Sequence, residues 1–353
     1  MNDRTPIPLI LDVDTGIDDA LALLYACASP EAQLVAVTCS SGNATLEDTT
    51  RNTRAVLELA GRGDVPVAAG RPVPLLRPIE ITPETHGPRG LGYAEPPEPS
   101  APVSNRFGPD VIVDEARRRP GELLMVTLGP LTNLALAVLR EPRLPNLLRG
   151  WWCMGGAFGV AGNTTPVSEW NIHCDPEAAR IALAAWQRAV ESDPSTPRVA
   201  VMGLNVTEQV RLTTDEVVAM SRLAGSRPDD SIDPDRPAGS PERRSVASNS
   251  VIRVLVDALR FYFEFHARYD GFYGAYVHDP LTLAAALDRS LVRTRPACID
   301  VDASGGPGDG QTIEDRRGHS GRMPNAEIGE LVDAERFLAR LVERVAALAL
   351  EHG

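Results

Sequence analysis

The chain has 353 residues, of which 43% are hydrophobic, and it carries a formal net charge of −13. This length and composition suffice for a large buried core, in one large domain or two smaller ones. The negative charge argues against a surface that binds nucleic acid, because such surfaces are basic. All 35 basic residues are arginines, so no lysine is available for a Schiff base or a phosphate-binding loop.

The five cysteines are odd in number and scattered, without CxxC spacing. This usage is typical of a reducing compartment rather than of a disulfide framework or a zinc site. The first residues do not resemble a signal peptide, and no apolar stretch approaches the roughly 18 residues that a membrane span requires. We therefore expect a cytoplasmic protein that has no contact with membranes.

Apolar runs and amphipathic segments alternate along the chain. A β-rich run at 7–13 precedes a helical segment at 17–29, and the pattern repeats at 33–41 and 45–61. It recurs further along, at 65–70, 122–129, 131–139, 150–158 and 197–206. Continuous apolar strands between helices predict an α/β fold, with an open, mostly parallel sheet and helices on both faces. Ligands of such sheets bind beyond the carboxyl ends of the strands.

The domain organisation is expected to be simple. No internal repeat and no second domain is recognisable, so residues 1–353 are predicted to form a single domain. The segment 225–245, GSRPDDSIDPDRPAGSPERRS, is polar and rich in Pro and Gly. This composition predicts a flexible insertion. An aromatic helix is predicted after it, over 251–280.

An unusual concentration of charge lies near the N-terminus, in the stretch LILDVDTGIDDALALLYA at 9–26. Asp18 and Asp19 have a simple explanation as residues of a first helical turn, where negative charge is favoured. Asp12 has one as a hydrogen-bonded strand residue. Neither explanation covers Asp14, and a divalent cation with oxygen ligands would resolve the repulsion. The stretch therefore predicts a metal site.

One candidate chemistry is phosphoryl transfer. DVDTG matches the DxDxT pattern of haloacid-dehalogenase-type phosphatases, in which the first Asp attacks phosphorus and Mg²⁺ assists. GDGQTIED at 308–315 resembles their late acidic motif. Those enzymes typically place a Lys near the phosphate, and this chain has none. Their pattern also leaves the following GIDDA unexplained, so a Mg²⁺-dependent phosphatase is the weaker alternative.

DVDTGIDDA also resembles the DxDPGxDDA signature of the nucleoside hydrolases, the inosine/uridine-preferring family. Further segments resemble the family in the same order: SSGN (40–43), THGPRGLG (85–92), LGPLTNLALA (128–137), MGGAFGVAGNTTPVSEWNIHCDPEAA (154–179), GLNVTEQV (203–210) and VHDP (277–280). The resemblance covers most of the chain from residue 7 to about 290. A co-linear set of this length is much more specific than the acidic cluster alone.

The resemblance implies an open, mostly parallel α/β sheet, a tightly held Ca²⁺ and a homodimer or homotetramer. It implies hydrolysis of the N-glycosidic bond of a ribonucleoside to ribose and free base. Carboxylates and carbonyls suit this reaction, because departure of the base leaves positive charge on the ribose. Ca²⁺ can hold the ribose diol and orient a water toward the anomeric carbon.

The resemblance also implies roles for individual residues. The Ca²⁺ ligands would be Asp14, Asp19, Asp279 and the backbone carbonyl of Leu128. Asp14 would also act as general base toward the attacking water, and His278 as proton donor to the leaving base. The substrate-binding residues would be Asp18 and Asn171 at the ribose 2′- and 3′-hydroxyls with Asn43 close by, Asn163 and Glu169 at the 5′-hydroxyl, and His86 in the base pocket.

Simpler explanations exist for each of these residues taken alone. Asn43 and Asn163 follow glycines and would suit turns. Glu169 and His86 would suit an exposed surface, and His278 with Asp279 and Pro280 would suit a helix start. A third hypothesis is therefore a protein that binds nucleosides or ribose without catalysis. Because every acidic position expected for catalysis is filled, we favour the enzyme.

Three residues depart from the family pattern. Thr15 replaces the usual Pro, Trp170 stands where Phe is commoner, and His266 occupies a position where some members have Tyr near the base. Family members with His directly before the metal-binding Asp tend to accept purine and pyrimidine ribosides. We therefore expect broad specificity that includes inosine and uridine, with these departures affecting substrate preference rather than the reaction.

Overall fold

The computed structural model describes residues 5–227, 232 and 244–353. Most of the segment 225–245, the predicted flexible insertion, lies outside the described residues. Within the described part, no helix is both long enough and apolar enough to span a lipid bilayer.

The strands of the described residues are mostly short and buried. They are β1 (Ile7–Val13), β2 (Ala32–Cys39), β3 (Val67–Ala69), β4 (Leu124–Thr127), β5 (Gly150–Met154), β6 (Val199–Met202), β7 (Arg211–Leu212), β8 (Ala275–Tyr276), β9 (Val292–Ala297), β10 (Ile299–Val301), β11 (Thr312–Glu314) and β12 (Ala326–Val332).

The helices of the described residues vary in length from one turn to several. They are α1 (Ile17–Cys27), α2 (Leu46–Leu59), α3 (Pro83–His86), α4 (Gly108–Arg118), α5 (Thr132–Arg140), α6 (Leu144–Leu147), α7 (Trp170–Cys174), α8 (Pro176–Ser192), α9 (Leu204–Thr207), α10 (Thr214–Leu223), α11 (Ser250–Tyr269), α12 (His278–Leu287) and α13 (Ala334–His352). A short 3₁₀ helix (Arg289–Leu291) follows α12.

An eight-stranded sheet forms the centre of the molecule, in the order β3-β2-β1-β4-β5-β6-β12-β9. Neighbouring strands from β3 to β12 are parallel, and β9 pairs antiparallel with β12 at one edge. Two small antiparallel pairs, β7–β8 and β10–β11, lie outside this sheet. The predicted α/β fold with a mostly parallel sheet is confirmed.

Buried side chains cover both faces of the sheet, which explains why its strands are continuously apolar. Successive residues of a strand point to opposite faces. Leu9 and Leu11 of β1 accordingly lie in one hydrophobic core, whereas Ile10 lies in the other. The first core includes residues of α1, α11, α12 and α13, and the second includes residues of α4, α5 and α8. Helices therefore pack on both faces, as predicted.

The prediction of one aromatic helix over 251–280 is wrong in its extent. The helix α11 ends at Tyr269, and Asp270 is its C-terminal cap. Gly271 then adopts a φ of 75°, a conformation that favours glycine and breaks the helical path. The chain continues through β8 and starts α12 at His278. This break separates the aromatic rings of α11 from the residues His278 and Asp279.

The order of the strands reverses beside β1. From β1 the chain moves to β2 and β3 on one side, and it later places β4 on the other side of β1. Such a reversal opens a crevice at the carboxyl ends of the two strands, where ligands of open α/β sheets bind. Asp14 follows β1 and Leu128 follows β4 at this crevice.

Candidate active site

Three buried carboxylates meet at this crevice. Asp18 and Asp19 lie in the first turn of α1, and Asp279 lies in the first turn of α12. One carboxylate oxygen from each residue lies within 4.8 Å of the other two. Their side chains are almost completely removed from solvent. The structure thus brings the start of the chain together with the VHDP segment.

Asp14 lies directly beside this group. Its backbone N–H donates to Oδ1 of Asp19 over 3.2 Å, and its own Oδ2 accepts from the backbone N–H of Asn43 over 2.7 Å. Its Oδ1 is buried and has no hydrogen-bond partner within the described residues. A Cβ atom at Gly42 or Gly129 would collide with the Asp14 carboxylate. These two glycines therefore leave the space that Asp14 occupies.

Hydrogen bonds hold Asp19 in a fixed orientation. Its Oδ2 accepts from the backbone N–H of Gly16 over 2.9 Å and from Nδ2 of Asn43 over 3.1 Å. Asp12 belongs to the strand β1, and its Oδ1 accepts hydrogen bonds from Oγ1 of Thr38 and from Nδ2 of Asn133. Asp12 is thus a strand residue hydrogen-bonded through Oδ1, while its Oδ2 is buried without a hydrogen-bond partner among the described residues.

The electrostatics of the cluster favour a bound cation. Burial is the largest cause that raises the pKa of Asp14, Asp18, Asp19 and Asp279. Neighbouring carboxylates also raise the pKa of Asp14, Asp18 and Asp279, and the pKa of Asp18 reaches about 8 as a result of both effects. Across the described ranges, no ion pair involves these four side chains. An all-oxygen donor set with an unpartnered Asp14 oxygen fits a hard divalent cation such as Ca²⁺ or Mg²⁺.

The carbonyl oxygen of Leu128 lies at the same crevice. It accepts a hydrogen bond from Nδ2 of Asn171 over 2.6 Å, and the same Nδ2 lies 3.3 Å from the carbonyl oxygen of Met154. A carbonyl oxygen has two lone pairs, so Leu128 keeps capacity for a second partner. Asn171 therefore connects the ends of β4 and β5.

Glu169 is buried, with 2% of its surface exposed, which rules out its simpler explanation as a solvated surface acid. Its two carboxylate oxygens accept from three backbone N–H groups, those of Gly156, Asn171 and Ile172, and so cap the start of α7. Asn163 is exposed, and its Oδ1 accepts from the backbone N–H of Trp170 over 3.0 Å. Both residues face the cavity described below.

His86 is also buried rather than exposed. Its Nδ1 accepts from the backbone N–H of Ile17 over 3.1 Å, so the ring is attached to the start of α1. Burial lowers the pKa of His86 to about 3, and the nearby His266 and His278 contribute in the same direction. The ring is therefore neutral at pH 7.

His278 is the first residue of α12, with Pro280 in the same turn. Its Nδ1 lies 2.7 Å from Oγ1 of Thr207. Burial lowers the pKa of His278 to about 3, with His266 contributing. His278 starts a helix whose N-cap is Val277, so Asp279 does not cap it and Pro280 is not its first residue, as the simpler explanation would require. His278 also reaches the cavity.

A cavity of about 540 Å³ opens above the carboxylates. This volume suits a small organic ligand, for which pockets of roughly 300 to 1,000 Å³ are usual. The predicted site residues that line it are Asp18, Asn43, His86, Leu128, Asn163, Glu169, Asn171, His278 and Asp279. Asp14 and Asp19 are fully buried beside it. Aromatic residues of α11 and β8 line it as well, namely Tyr262, Phe265, His266, Tyr269 and Tyr276.

The residues that depart from the family pattern have distinct surroundings. Oγ1 of Thr15 lies 2.6 Å from Oγ1 of Thr53, away from the cavity lining. Trp170 lines the cavity, and its Nε1 is buried without a hydrogen-bond partner among the residues described. His266 lines the cavity too, with its Nδ1 2.7 Å from Oδ2 of Asp270.

Sequence reasoning missed several residues that shape the site. Thr207 belongs to the GLNVTEQV segment, but its contact with His278 spans 71 positions and has no local signal. Gly42 and Gly129 also lie in segments that resemble the family, and only the structure reveals their closeness to Asp14. Asp270 could have been found, because it lies four residues after His266 and such pairs meet on a helix.

The chain is similar to known proteins over nearly its whole length. A sequence model of the inosine-uridine preferring nucleoside hydrolases matches residues 9–339. The pyrimidine-specific ribonucleoside hydrolase RihA of Salmonella arizonae is 34% identical over 340 residues, which are 96% of this chain and 98% of that protein. Uridine nucleosidase 1 of Arabidopsis thaliana is 32% identical, over 84% of this chain and 79% of that protein.

Solved structures agree. The purine-preferring ribonucleoside hydrolase from Gardnerella vaginalis superposes with a TM-score of 0.84 at 30% identity, over 98% of this chain and 99% of that one. The resemblance and the enzyme class expected from the sequence are thereby confirmed. The chain belongs to the inosine-uridine preferring nucleoside hydrolase family, a family of hydrolases acting on N-glycosyl compounds.

Proposed function

We propose that this protein is a Ca²⁺-dependent enzyme that hydrolyses the N-glycosidic bond of ribonucleosides to ribose and free base. The observation that carries the proposal is the buried group of Asp14, Asp18, Asp19 and Asp279 beneath a cavity of nucleoside size. The relatives named above are ribonucleoside hydrolases and a uridine nucleosidase, which supports this substrate class. The whole chain would act as one domain.

Asp14, Asp19, Asp279 and the Leu128 carbonyl are the proposed ligands of the cation. The unpartnered Oδ1 of Asp14 and the absence of a basic partner within the described ion pairs support this set. When bound, Ca²⁺ would supply positive charge that offsets the carboxylates, holds ribose hydroxyls and acidifies water. Asp18 has an oxygen within 4.8 Å of Asp19 and Asp279 oxygens and also lines the cavity, and its assignment to the ribose follows the resemblance to the family.

Asp14 is the proposed general base. Its Oδ2 is engaged by the backbone of Asn43, whereas Oδ1 has no partner in the described part of the chain. Oδ1 would therefore take the proton of the water that attacks the anomeric carbon. The surrounding carboxylates would stabilise the positive charge that develops on the ribose as the bond to the base breaks.

The remaining cavity residues are proposed to orient the nucleoside. Asp18 and Asn171 would bond the ribose 2′- and 3′-hydroxyls, with Asn43 beside them. Asn163 and Glu169 would hold the 5′-hydroxyl at the opposite end of the ribose. His86 and the aromatic side chains of α11 would contact the base, since these rings line the same cavity. Holding the ribose at both ends limits the attack to one geometry.

His278 is proposed to assist departure of the base. With Nδ1 held by Thr207, its Nε2 is the nitrogen left to donate a hydrogen bond or a proton. Because the pKa of His278 is lowered to about 3, its ring is neutral at pH 7. Thr207 would then direct its hydroxyl hydrogen to Nδ1, and the Nε2–H would donate a hydrogen bond to the leaving base. A donor is useful here because nucleobases leave poorly as anions.

We further propose a homodimer or homotetramer in the cytoplasm. The proposed assembly follows the family, and sedimentation velocity would measure it. Five free cysteines, four of them buried, suit a reducing compartment. The net charge of −13 supports the expectation that nucleic acid is not a partner.

The test of the proposed reaction is a turnover screen. Inosine, uridine, adenosine, guanosine and cytidine are incubated with the protein, and free base is measured by chromatography. Release of base from any of them supports the hydrolase. Binding of a nucleoside without release would instead support the non-catalytic binding protein.

In the structure, the second motif of the phosphatase alternative does not lie at the carboxylate site. Asp309 and Glu314 of the segment 308–315 form ion pairs with Arg77 and Arg295. Neither acidic residue lines the cavity above the carboxylates. Release of phosphate from p-nitrophenyl phosphate at a rate that exceeds nucleoside hydrolysis would restore that alternative.

A further inference from the structure

The segment 308–315 packs against the loop that joins β5 to α7 and ends at Glu169. Part of this segment forms the strand β11, which pairs with β10 in a small antiparallel sheet. Gln311 pairs with Ser168 through an isolated antiparallel β-bridge. A Cβ atom at Gly310 would lie only 2.9 Å from Cβ of Ser168. The far end of the loop, directly before Glu169, therefore rests on this segment.

Thr312 of the same segment holds the near end of the loop. Its side chain is buried, and its Oγ1 accepts from the backbone N–H of Ala157 over 2.9 Å and donates to the carbonyl oxygen of Ala157 over 3.1 Å. The hydroxyl thus acts as donor and acceptor toward one residue of the loop. Gly156 has a φ of 83°, which favours glycine, and a Cβ atom there would lie 2.7 Å from Cγ2 of Thr312. Thr312 therefore fixes the backbone at Gly156 and Ala157.

Gly156 connects this contact to the cavity. Its backbone N–H donates to Oε2 of Glu169 over 2.9 Å, across 13 positions of the chain. The other two backbone donors to Glu169, Asn171 and Ile172, belong to the helix α7 that Glu169 caps, so they move together with it. Gly156 instead follows shortly after the strand β5. Its N–H therefore ties the carboxylate of Glu169 to the central sheet.

Resting on the proposed binding of the 5′-hydroxyl by Glu169, we infer that Thr312 is a positioning residue for the ribose. By holding the backbone at Gly156, it keeps the Glu169 carboxylate where that group accepts a hydrogen bond from the 5′-hydroxyl. A group that recognises a substrate must be held to within about 0.5 Å of its productive position. The preference for substrates with a free 5′-hydroxyl thus depends on a side chain that does not itself line the cavity.

The test compares inosine with 5′-deoxyinosine, which differ only in the 5′-hydroxyl. Values of kcat/KM are measured for both substrates with the wild type, Thr312→Val and Thr312→Ser. Val keeps the branched shape without the hydroxyl, whereas Ser keeps the hydroxyl and is the matched control. We expect the wild type to prefer inosine, and Thr312→Val to lower the inosine-to-5′-deoxyinosine ratio about tenfold, the order of magnitude of one hydrogen bond. Thr312→Ser should keep most of the ratio.

Three further variants separate positioning from general packing. Gly310→Ala places a Cβ atom against Ser168 and leaves the Thr312 hydroxyl in place. It should lower the same ratio, and it carries the test if Thr312→Val does not fold. Thr294→Val removes a hydroxyl from the edge strand β9, where Oγ1 donates to Glu327 over 3.4 Å, and should leave the ratio unchanged. Added to Glu169→Ala, which removes the proposed acceptor, Thr312→Val should lower the ratio little further.

The outcomes distinguish the inference from the proposed function. An unchanged ratio in Thr312→Val or in Gly310→Ala, with a wild type that prefers inosine, would overturn the role of Thr312 alone. Equal losses on both substrates would also overturn it, because Thr312 would then serve only the fold. A wild type that hydrolyses the two substrates equally would overturn 5′-hydroxyl binding by Glu169, and the inference with it, but not the hydrolysis. No base release by the wild type would overturn the proposed function itself.

Discussion

Oγ1 of Thr207 lies 2.7 Å from Nδ1 of His278, although the two residues are 71 positions apart. Thr207 ends the short helix α9 after β6, and His278 begins α12. A hydroxyl can donate or accept, so Thr207 can hold the ring of His278 in its neutral or its charged form. The contact fixes one nitrogen of His278 and leaves the other for the cavity.

Replacing His278 tests its role toward the leaving base. Protonation matters most when the base is a poor leaving group and hardly at all for p-nitrophenol. We expect His278→Ala to slow inosine hydrolysis by about 10²–10⁴-fold, while p-nitrophenyl riboside is little affected. The measurement is kcat for both substrates. Equal losses on the two would show that His278 positions the substrate instead of assisting departure of the base.

Removing the hydroxyl of Thr207 tests the contact itself. Thr207→Val keeps the shape of the side chain, and we expect it to lower kcat for inosine about tenfold by releasing the ring of His278. Thr207→Ser is the matched control and should retain most of the activity, because it keeps the hydroxyl. When Thr207→Val is added to His278→Ala, kcat for inosine should fall little below that of His278→Ala alone. Additive losses would contradict a role that acts through His278.

Substitutions at Asp14 and Asp12 distinguish nucleoside hydrolysis from phosphoryl transfer. We expect Asp14→Asn to reduce kcat by about 10²–10⁴-fold, the usual contribution of a positioned base, with any weakening of the cation adding to the loss. Asp12→Asn should cost less in catalysis, because Asp12 bonds Thr38 and Asn133 below the site. Trapping a phosphorylated Asp12, together with a larger loss at that residue, would reverse this assignment.

The ribose diol provides a test on the substrate side. Asp18, Asn171 and the cation are all expected to address the 2′- and 3′-hydroxyls. A site built to bond a hydroxyl loses by about 10⁴–10⁵-fold when that hydroxyl is missing and its own buried groups stay unpaired. We therefore expect 2′-deoxyinosine to be a much poorer substrate than inosine. Similar kcat/KM values for the two would show that the site does not depend on the ribose diol.

Local patterns were sufficient for the start of the fold, whereas α4 (Gly108–Arg118) was not predicted. The run at 7–13 coincides with β1, and the predicted helix begins at Ile17, as α1 does. Both follow from features within a few residues, namely continuous apolar character and acidic residues in a first turn. The strand and the helix on either side of the predicted carboxylates can therefore be predicted from the sequence.

The pairing of strands from distant segments could not be predicted from local patterns. The strand β12 inserts between β6 and β9 in the central sheet, and β9 runs antiparallel at its edge. Nothing local in 326–332 indicates these partners. The contact of Thr207 with His278 and the space that Gly42 leaves for Asp14 likewise depend on distant segments. Only the resemblance to the family allowed Asp279 to be grouped with Asp19.

The cation and the reaction can be tested in a single measurement. Protein is stripped by exhaustive chelation, and release of free base from inosine and uridine is followed before and after Ca²⁺ is added back. Because Asp14, Asp19 and Asp279 are buried together without a basic partner among the described residues, we expect the stripped protein to release no base. We also expect it to melt at a lower temperature, since a bound metal stabilises the folded state. Added Ca²⁺ should restore both properties, whereas full turnover by the metal-free protein would contradict the account.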